Sequence, residues 1–91
     1  GLSATGREVS NYLLKNKYQV VGIIDKSMNE HSYRGISIYK NLSLLKNNFD
    51  KIIISSMGHQ EKIASILLKK AVPKEKIIKY YDERSFNRYF S

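Results

Sequence analysis

The sequence contains no cysteine and no tryptophan, and Pro73 is its single proline. Without cysteine there are no disulfides and no thiolate metal sites, a composition that suits a reducing compartment. Acids are scarce: eight Asp and Glu face sixteen Lys and Arg, for a formal charge of +8. The two histidines, His31 and His59, stand far apart, and no His/Asp/Glu group has metal-ligand spacing. No apolar run approaches the ~20 residues that a bilayer-spanning helix needs. There is no signal peptide, so the expected location is cytoplasmic. An initiator methionine is also missing, which predicts a piece of a longer protein.

What is present describes one modest domain over residues 1–91. A basic domain attracts nucleic acid, acidic membranes or phosphorylated small molecules. Here the lysines are scattered along the chain, with no run of five and no aromatic–basic motif for RNA. Nucleic acid is therefore disfavoured as a partner, and a phosphorylated small molecule is preferred.

The apolar pattern alternates between helix and strand periods. Residues 6–15 read as a helix with Val9, Tyr12 and Leu13 on one face. Residues 18–25 (YQVVGIID) read as a strand buried on both faces, because Val20, Val21, Ile23 and Ile24 run almost continuously. Residues 26–34 are polar and read as a loop, and Gly35 opens a short strand at residues 36–39. Residues 41–47 predict a short helix carrying Leu42, Leu44 and Leu45. Residues 51–55 (KIIIS) predict a buried strand. Residues 59–70 predict the strongest helix, with Ile63, Ile66, Leu67 and Lys70 at helical spacing and Ala64 and Leu68 widening the stripe. Val72 and Pro73 end it. Residues 77–81 predict the last strand, and residues 83–90 a terminal helix burying Phe86, Tyr89 and Phe90.

This alternation predicts an α/β fold: a three-layer, Rossmann-like parallel sheet with helices on both faces, truncated at the N-terminus. In the strand order 3-2-1-4-5 the absent first strand lies at the centre, between residues 20–24 and 52–54.

The opening segment, Gly1-Leu2-Ser3-Ala4-Thr5-Gly6, has a G-x-S-x-x-G pattern, and Asp25 closes the next apolar run. A glycine-rich bend lets a phosphate approach the backbone, and the helix start offers N–H groups and partial positive charge. Asp25 suits the ribose hydroxyls of an adenosine, although Lys26 beside it suits a 2′-phosphate. Ser3 offers its hydroxyl where a glycine is usual. Thr5 suits either a helix cap or a ligand contact. The loop Ser55-Ser56-Met57-Gly58-His59 leads from a strand into the strongest helix. The candidate ligand-binding set is therefore Gly1, Ser3, Thr5, Gly6, Asp25, Ser55, Ser56 and His59, with no catalytic residue and no metal ligand. The plain structural alternatives are a ligand-free strand-to-helix turn, a loop-capping Asp25 and a solvent-facing His59.

The succession of G-x-S-x-x-G, VVGIID, GISIY, FDKIIIS and VPKEKII resembles the Rossmann-like nucleotide-binding domain of bacterial surface-polysaccharide enzymes, apparently without its first strand. Such domains stand in nucleotide-sugar dehydratases and epimerases and in sugar acyltransferases, and are appended to sugar methyltransferases and glycosyltransferases. The resemblance implies a nucleotide or nucleotide-sugar site at Gly1, Ser3, Thr5, Gly6 and Asp25. It also implies a larger parent polypeptide, a transferase or nucleotide-sugar enzyme of polysaccharide biosynthesis. The dehydratase signature Tyr-x-x-x-Lys is absent, because no tyrosine has a lysine four positions later. The expected function is binding of a nucleotide or nucleotide-sugar within a larger enzyme. Binding of NAD or CoA in another enzyme and a non-enzymatic interaction module are the alternatives.

Overall fold

A computed structural model of the 91-residue chain describes residues 3–25, 29–41 and 49–90. The chain divides into two compact units, Gly1–Phe49 and Asp50–Ser91.

In the first unit, helix α1 spans Ala4–Lys15. Ser3 is its N-cap: the backbone is extended there, and the side-chain oxygen accepts the Gly6 N–H at 3.0 Å. Such a cap satisfies one of the N–H groups that a helix start leaves without a partner. Gly6, Val9 and Ser10 are its buried positions, a narrow i, i+3, i+4 stripe. The helix ends in a left-handed Lys17 with φ 63°. The Lys17 N–H reaches the Leu14 carbonyl at 3.1 Å, and the Tyr18 N–H reaches that of Leu13 at 2.9 Å. These two bonds make a Schellman motif without its usual glycine.

Three short strands follow: β1 at Ile23–Ile24, β2 at Ser32–Tyr33 and β3 at Ile36–Tyr39. β3 is central, in the order β1-β3-β2. It runs parallel to β1, with Ile23 opposite Ile38, and antiparallel to β2, with Tyr33 opposite Ile36. The two residues between β2 and β3 both have positive φ, 49° at Arg34 and 83° at Gly35. That is the type I′ geometry whose twist matches a hairpin. The Asn11 side chain of α1 accepts hydrogen bonds from the Tyr33 hydroxyl at 3.1 Å and from Arg34 at 2.8 Å. One amide oxygen thus ties the helix to the end of β2 and to the first residue of the turn.

The second unit is a strand–helix–strand with a terminal helix. β4 spans Ile52–Ile54, α2 Gln60–Lys69, β5 Ile77–Lys79 and α3 Arg84–Phe90, with a 3₁₀ turn at Lys74–Lys76 before β5. β4 and β5 pair in parallel, with Ile53 opposite Ile78, as two apolar runs around an amphipathic helix predict. The core holds Ile54, Ala64, Leu67, Val72, Ile78, Tyr80 and Phe86. The Tyr80 and Phe86 rings lie 4.9 Å apart at 41°, which fastens α3 to the end of β5. α2 also ends in a Schellman motif. Ala71 has φ 66°, its N–H reaches the Leu68 carbonyl at 3.0 Å, and the Val72 N–H reaches that of Leu67 at 3.1 Å. Buried Val72 and Leu67 supply the accompanying apolar contact.

These observations overturn the three-layer Rossmann-like parallel sheet expected from sequence. Among the described residues the strands form a mixed three-stranded sheet and a two-stranded parallel one, and none of these strands is longer than four residues. The apolar run at residues 18–25 contributes only Ile23 and Ile24 to a ladder, and Val21 is 43% exposed. A run of apolar letters is a two-sided buried strand only where partners flank it. The polar stretch read as a loop contains β2, and Gly35 is a turn residue rather than a strand start. α1 begins two residues before its expected start, because Ser3 rather than Thr5 is the cap. Leu42, Leu44 and Leu45 lie outside the described residues, as do the side chains of Tyr89 and Phe90.

Candidate functional site

Ser3, Thr5 and Gly6 lie together at the start of α1. The Ser3 hydroxyl is engaged by Gly6, and the Ser3 carbonyl accepts the Arg7 N–H at 2.9 Å. Thr5 sits half-buried in the first turn. That turn carries no acidic side chain, so the positive end of the helix dipole is not neutralised there. Asp25 follows β1, half-buried, and its N–H donates to the Tyr39 carbonyl at 2.9 Å. The β1–β3 ladder thereby holds the Asp25 backbone at the end of the strand. Gly1 lies outside the described residues.

Ser55, Ser56 and His59 belong to the second unit. They form the link from β4 to α2, in which the His59 N–H donates to the Ser56 carbonyl at 3.1 Å. Gly58, with φ 82°, permits that tight turn. His59 is the N-cap residue of α2, is exposed and makes no side-chain cap bond. Ser55 is half-buried and Ser56 exposed. The eight expected residues are thus split between two units, each with its own local geometry.

The second unit holds two polar arrangements that the sequence reading passed over. The first is buried. Gln60 is 4% exposed and donates to the Tyr80 carbonyl at 2.9 Å and to the Met57 sulfur at 3.4 Å. Its amide joins the start of α2 to the end of β5. The spacing of Gln60, Ala64 and Leu67 at i, i+4, i+7 was the available signal.

The second arrangement is exposed. The Lys79 ammonium donates to both Glu61 carboxylate oxygens at 3.0 Å, and the Tyr81 hydroxyl donates to one of them at 2.8 Å. Hydrogen bonding by Lys79, then by Tyr81, holds the Glu61 carboxyl below the usual carboxylate range. The same bond to Glu61 raises the Tyr81 hydroxyl above the ordinary tyrosine range. A carboxylate lowered in this way is a weaker general base. Its place in the fold is to tie α2 to β5. Close by, the Asp82 carboxyl is lowered by its hydrogen bonds from Arg84, whose N–H and guanidinium it receives at 2.9 Å. An open groove runs between α2, the 3₁₀ turn and the start of α3, floored by Ala64, Leu68 and Ile77. Among the described residues no group of His, Asp and Glu is placed to hold a metal ion. Among the same residues no helix is long and apolar enough to cross a membrane.

Short mixed strands and capped helices in two units define a small protein of α and β elements. The model of the family described as "C2185-like, N-terminal" matches residues 1–78, and the chain belongs to that family. Neither the curated proteins nor the solved structures give a significant match.

Proposed function

We propose that the chain binds a phosphorylated, nucleotide-type small molecule as the N-terminal part of a larger polypeptide. The observation that carries this reading is the start of α1. Its first turn has no acid, its cap is a serine, and a threonine hydroxyl and a buried glycine lie within it. A helix start of that composition suits an anionic group. Asp25, in the same unit, supplies the acceptor that a ribose hydroxyl needs. The +8 charge favours encounter with an anion, although screening limits that attraction beyond about 8 Å at physiological salt. The N-terminal designation of the family supports a place within a longer protein. A nucleotide-sugar as the ligand rests on the sequence resemblance alone.

Titration of the chain with NAD, UDP-sugars and CoA tests the proposal. One of these is expected to bind, and Asp25→Ala and Thr5→Val are each expected to weaken it while the far-ultraviolet circular dichroism is unchanged. If no nucleotide binds, or if both folded variants bind like the parent, the site assignment falls and a protein-interaction module becomes the better reading.

A further inference from the structure

Five lysines, four of them exposed and Lys76 half-buried, gather at one end of the second unit. Because Ile52 stands opposite Ile77, Lys51 and Lys76 are side by side, each immediately before its strand. The Lys51 ammonium donates to the Glu75 carbonyl at 2.9 Å, which confirms that these two strand starts adjoin. A helix that connects two parallel strands must run back along them, so α2 ends where β4 and β5 begin. Lys69 and Lys70 close that helix, and Lys74 opens the 3₁₀ turn that follows it. The acids at this end are Asp50 and Glu75, so five lysines against two acids leave a local excess of +3. The carboxyl end of α2 adds partial negative charge, which a terminal lysine offsets. Two large aliphatic side chains stand exposed in the last turns of α2: Ile66 at 42% and Leu68 at 48%. Leu68 lines the same groove as Lys74 and Ile77.

We infer that this lysine end, with Leu68, docks on the headgroup surface of an anionic phospholipid bilayer. Residues 66–77 include no arginine and no aromatic residue. They therefore lack the planar fork and the stacking faces by which proteins grip bases in nucleic acid. Ammonium groups meet a diffuse sheet of negative headgroups without any need for fixed geometry. An aliphatic tip beside them gains by entering the headgroup–acyl boundary, a contribution that a phosphate backbone in water does not offer. Each lysine near such a surface strengthens partition about fivefold, so the four exposed ones, Lys51, Lys69, Lys70 and Lys74, are enough for reversible attachment without a membrane-spanning helix.

The test is sedimentation of the 91-residue chain with phosphatidylcholine vesicles, with and without phosphatidylserine, and in parallel its binding to duplex DNA. Binding is expected only to the anionic vesicles, and is expected to fall as salt rises. The triple variant Lys69→Gln, Lys70→Gln, Lys74→Gln is expected to lose on the order of a hundredfold in partition. Arg7→Gln with Lys15→Gln and Lys40→Gln removes as many charges elsewhere and is expected to lose far less. Leu68→Ser is expected to weaken vesicle binding without any change in charge. The inference is overturned if anionic vesicles bind no chain. It is equally overturned if both triple variants lose alike, if Leu68→Ser binds as the parent does, or if duplex DNA binds more tightly than the vesicles.

Discussion

The two units hold themselves together by different means. Among the described residues, the second buries seven apolar side chains beneath its strand–helix–strand, whereas the first buries only Val9 and Ile36. The first relies instead on polar geometry: a serine cap, a Schellman end, a type I′ turn and an asparagine that bonds the entry to that turn. Burial of a large aliphatic side chain stabilises by about 1.5–3 kcal/mol, and an ordinary hydrogen bond by about 1 kcal/mol net. The second unit is therefore expected to be the more resistant of the two. Both candidate nucleotide contacts used in the functional proposal, Thr5 and Asp25, fall in the first unit.

The largest effect is expected at Ile78, which is 1% exposed. Ile78→Ala should destabilise the second unit by about 3 kcal/mol, through lost burial and the cavity left behind. Val9→Ala in the first unit removes fewer methyl groups and should cost about 2 kcal/mol or less. Hydrogen exchange at the amides of each unit measures the two losses separately. Equal losses would break the distinction between a unit held by burial and one held by polar geometry.

Next comes Gln60. Gln60→Met keeps the volume and the unbranched shape but removes the donor to the Tyr80 carbonyl, inside a core where water cannot replace it. A cost of about 1–3 kcal/mol is expected from denaturant unfolding. A neutral outcome would mean that the second unit depends on apolar contacts alone, which sharpens the contrast with the first.

Sequence reading reached these two units unequally, for the same physical reason. β4 and β5 were legible because their apolar residues are tied to burial; α2 was legible as a helix, but Ile66 and Leu68 of its expected stripe stand exposed and its buried face is Gln60, Ala64 and Leu67. The first unit is shaped by turns, and its turns carry weak letters. Arg34-Gly35 makes a type I′ turn, a geometry that asparagine–glycine would have announced, so β2 was hidden in a polar stretch. Ala71 ends α2 in a left-handed conformation that alanine does not advertise, and the neighbouring Pro73 received the credit. The continuous run at residues 18–25 promised a two-sided strand, but only a partner can make one. Ser3 and Gly6 were singled out for a ligand, and their mutual cap bond is a local use that the letters did not reveal. Gln60 was missed because a polar residue carries no apolar signal, even where it lies on the buried face of its helix.

A property shared by the units comes third. Helices α1 and α2 both end on a non-glycine residue with positive φ, 63° at Lys17 and 66° at Ala71. That conformation crowds the β-carbon against the backbone. Ala71→Gly and Lys17→Gly are each expected to stabilise the fold by about 1 kcal/mol, read from denaturant unfolding, because the relief of strain exceeds the added freedom of the unfolded chain. If only one does so, the helix end that fails to respond is held by something besides its backbone conformation.

The smallest effect is expected at the exposed Glu61 group, where surface ion pairs contribute little. Its direction with pH is nevertheless defined. Lys79 and Tyr81 hold the folded Glu61 carboxyl below its unfolded value. A lowered carboxyl contributes stability above the ordinary carboxylate range and loses it as pH falls through the folded value. Tyr81 moves the other way, since its bond to Glu61 raises the hydroxyl. Its contribution is present below the ordinary tyrosine range and is lost as pH rises through the folded value. The stability difference between the parent and Glu61→Gln should therefore be present near neutrality. It should shrink in acid as Glu61 takes up its proton, and in alkali as Tyr81 loses its own. Added salt should reduce it as well, because the charges face solvent. Denaturant midpoints across pH for the two proteins measure this directly. A difference that survives full protonation of Glu61 would show that the cluster holds α2 to β5 by shape rather than by charge, and would bring this corner of the second unit closer to the polar geometry of the first.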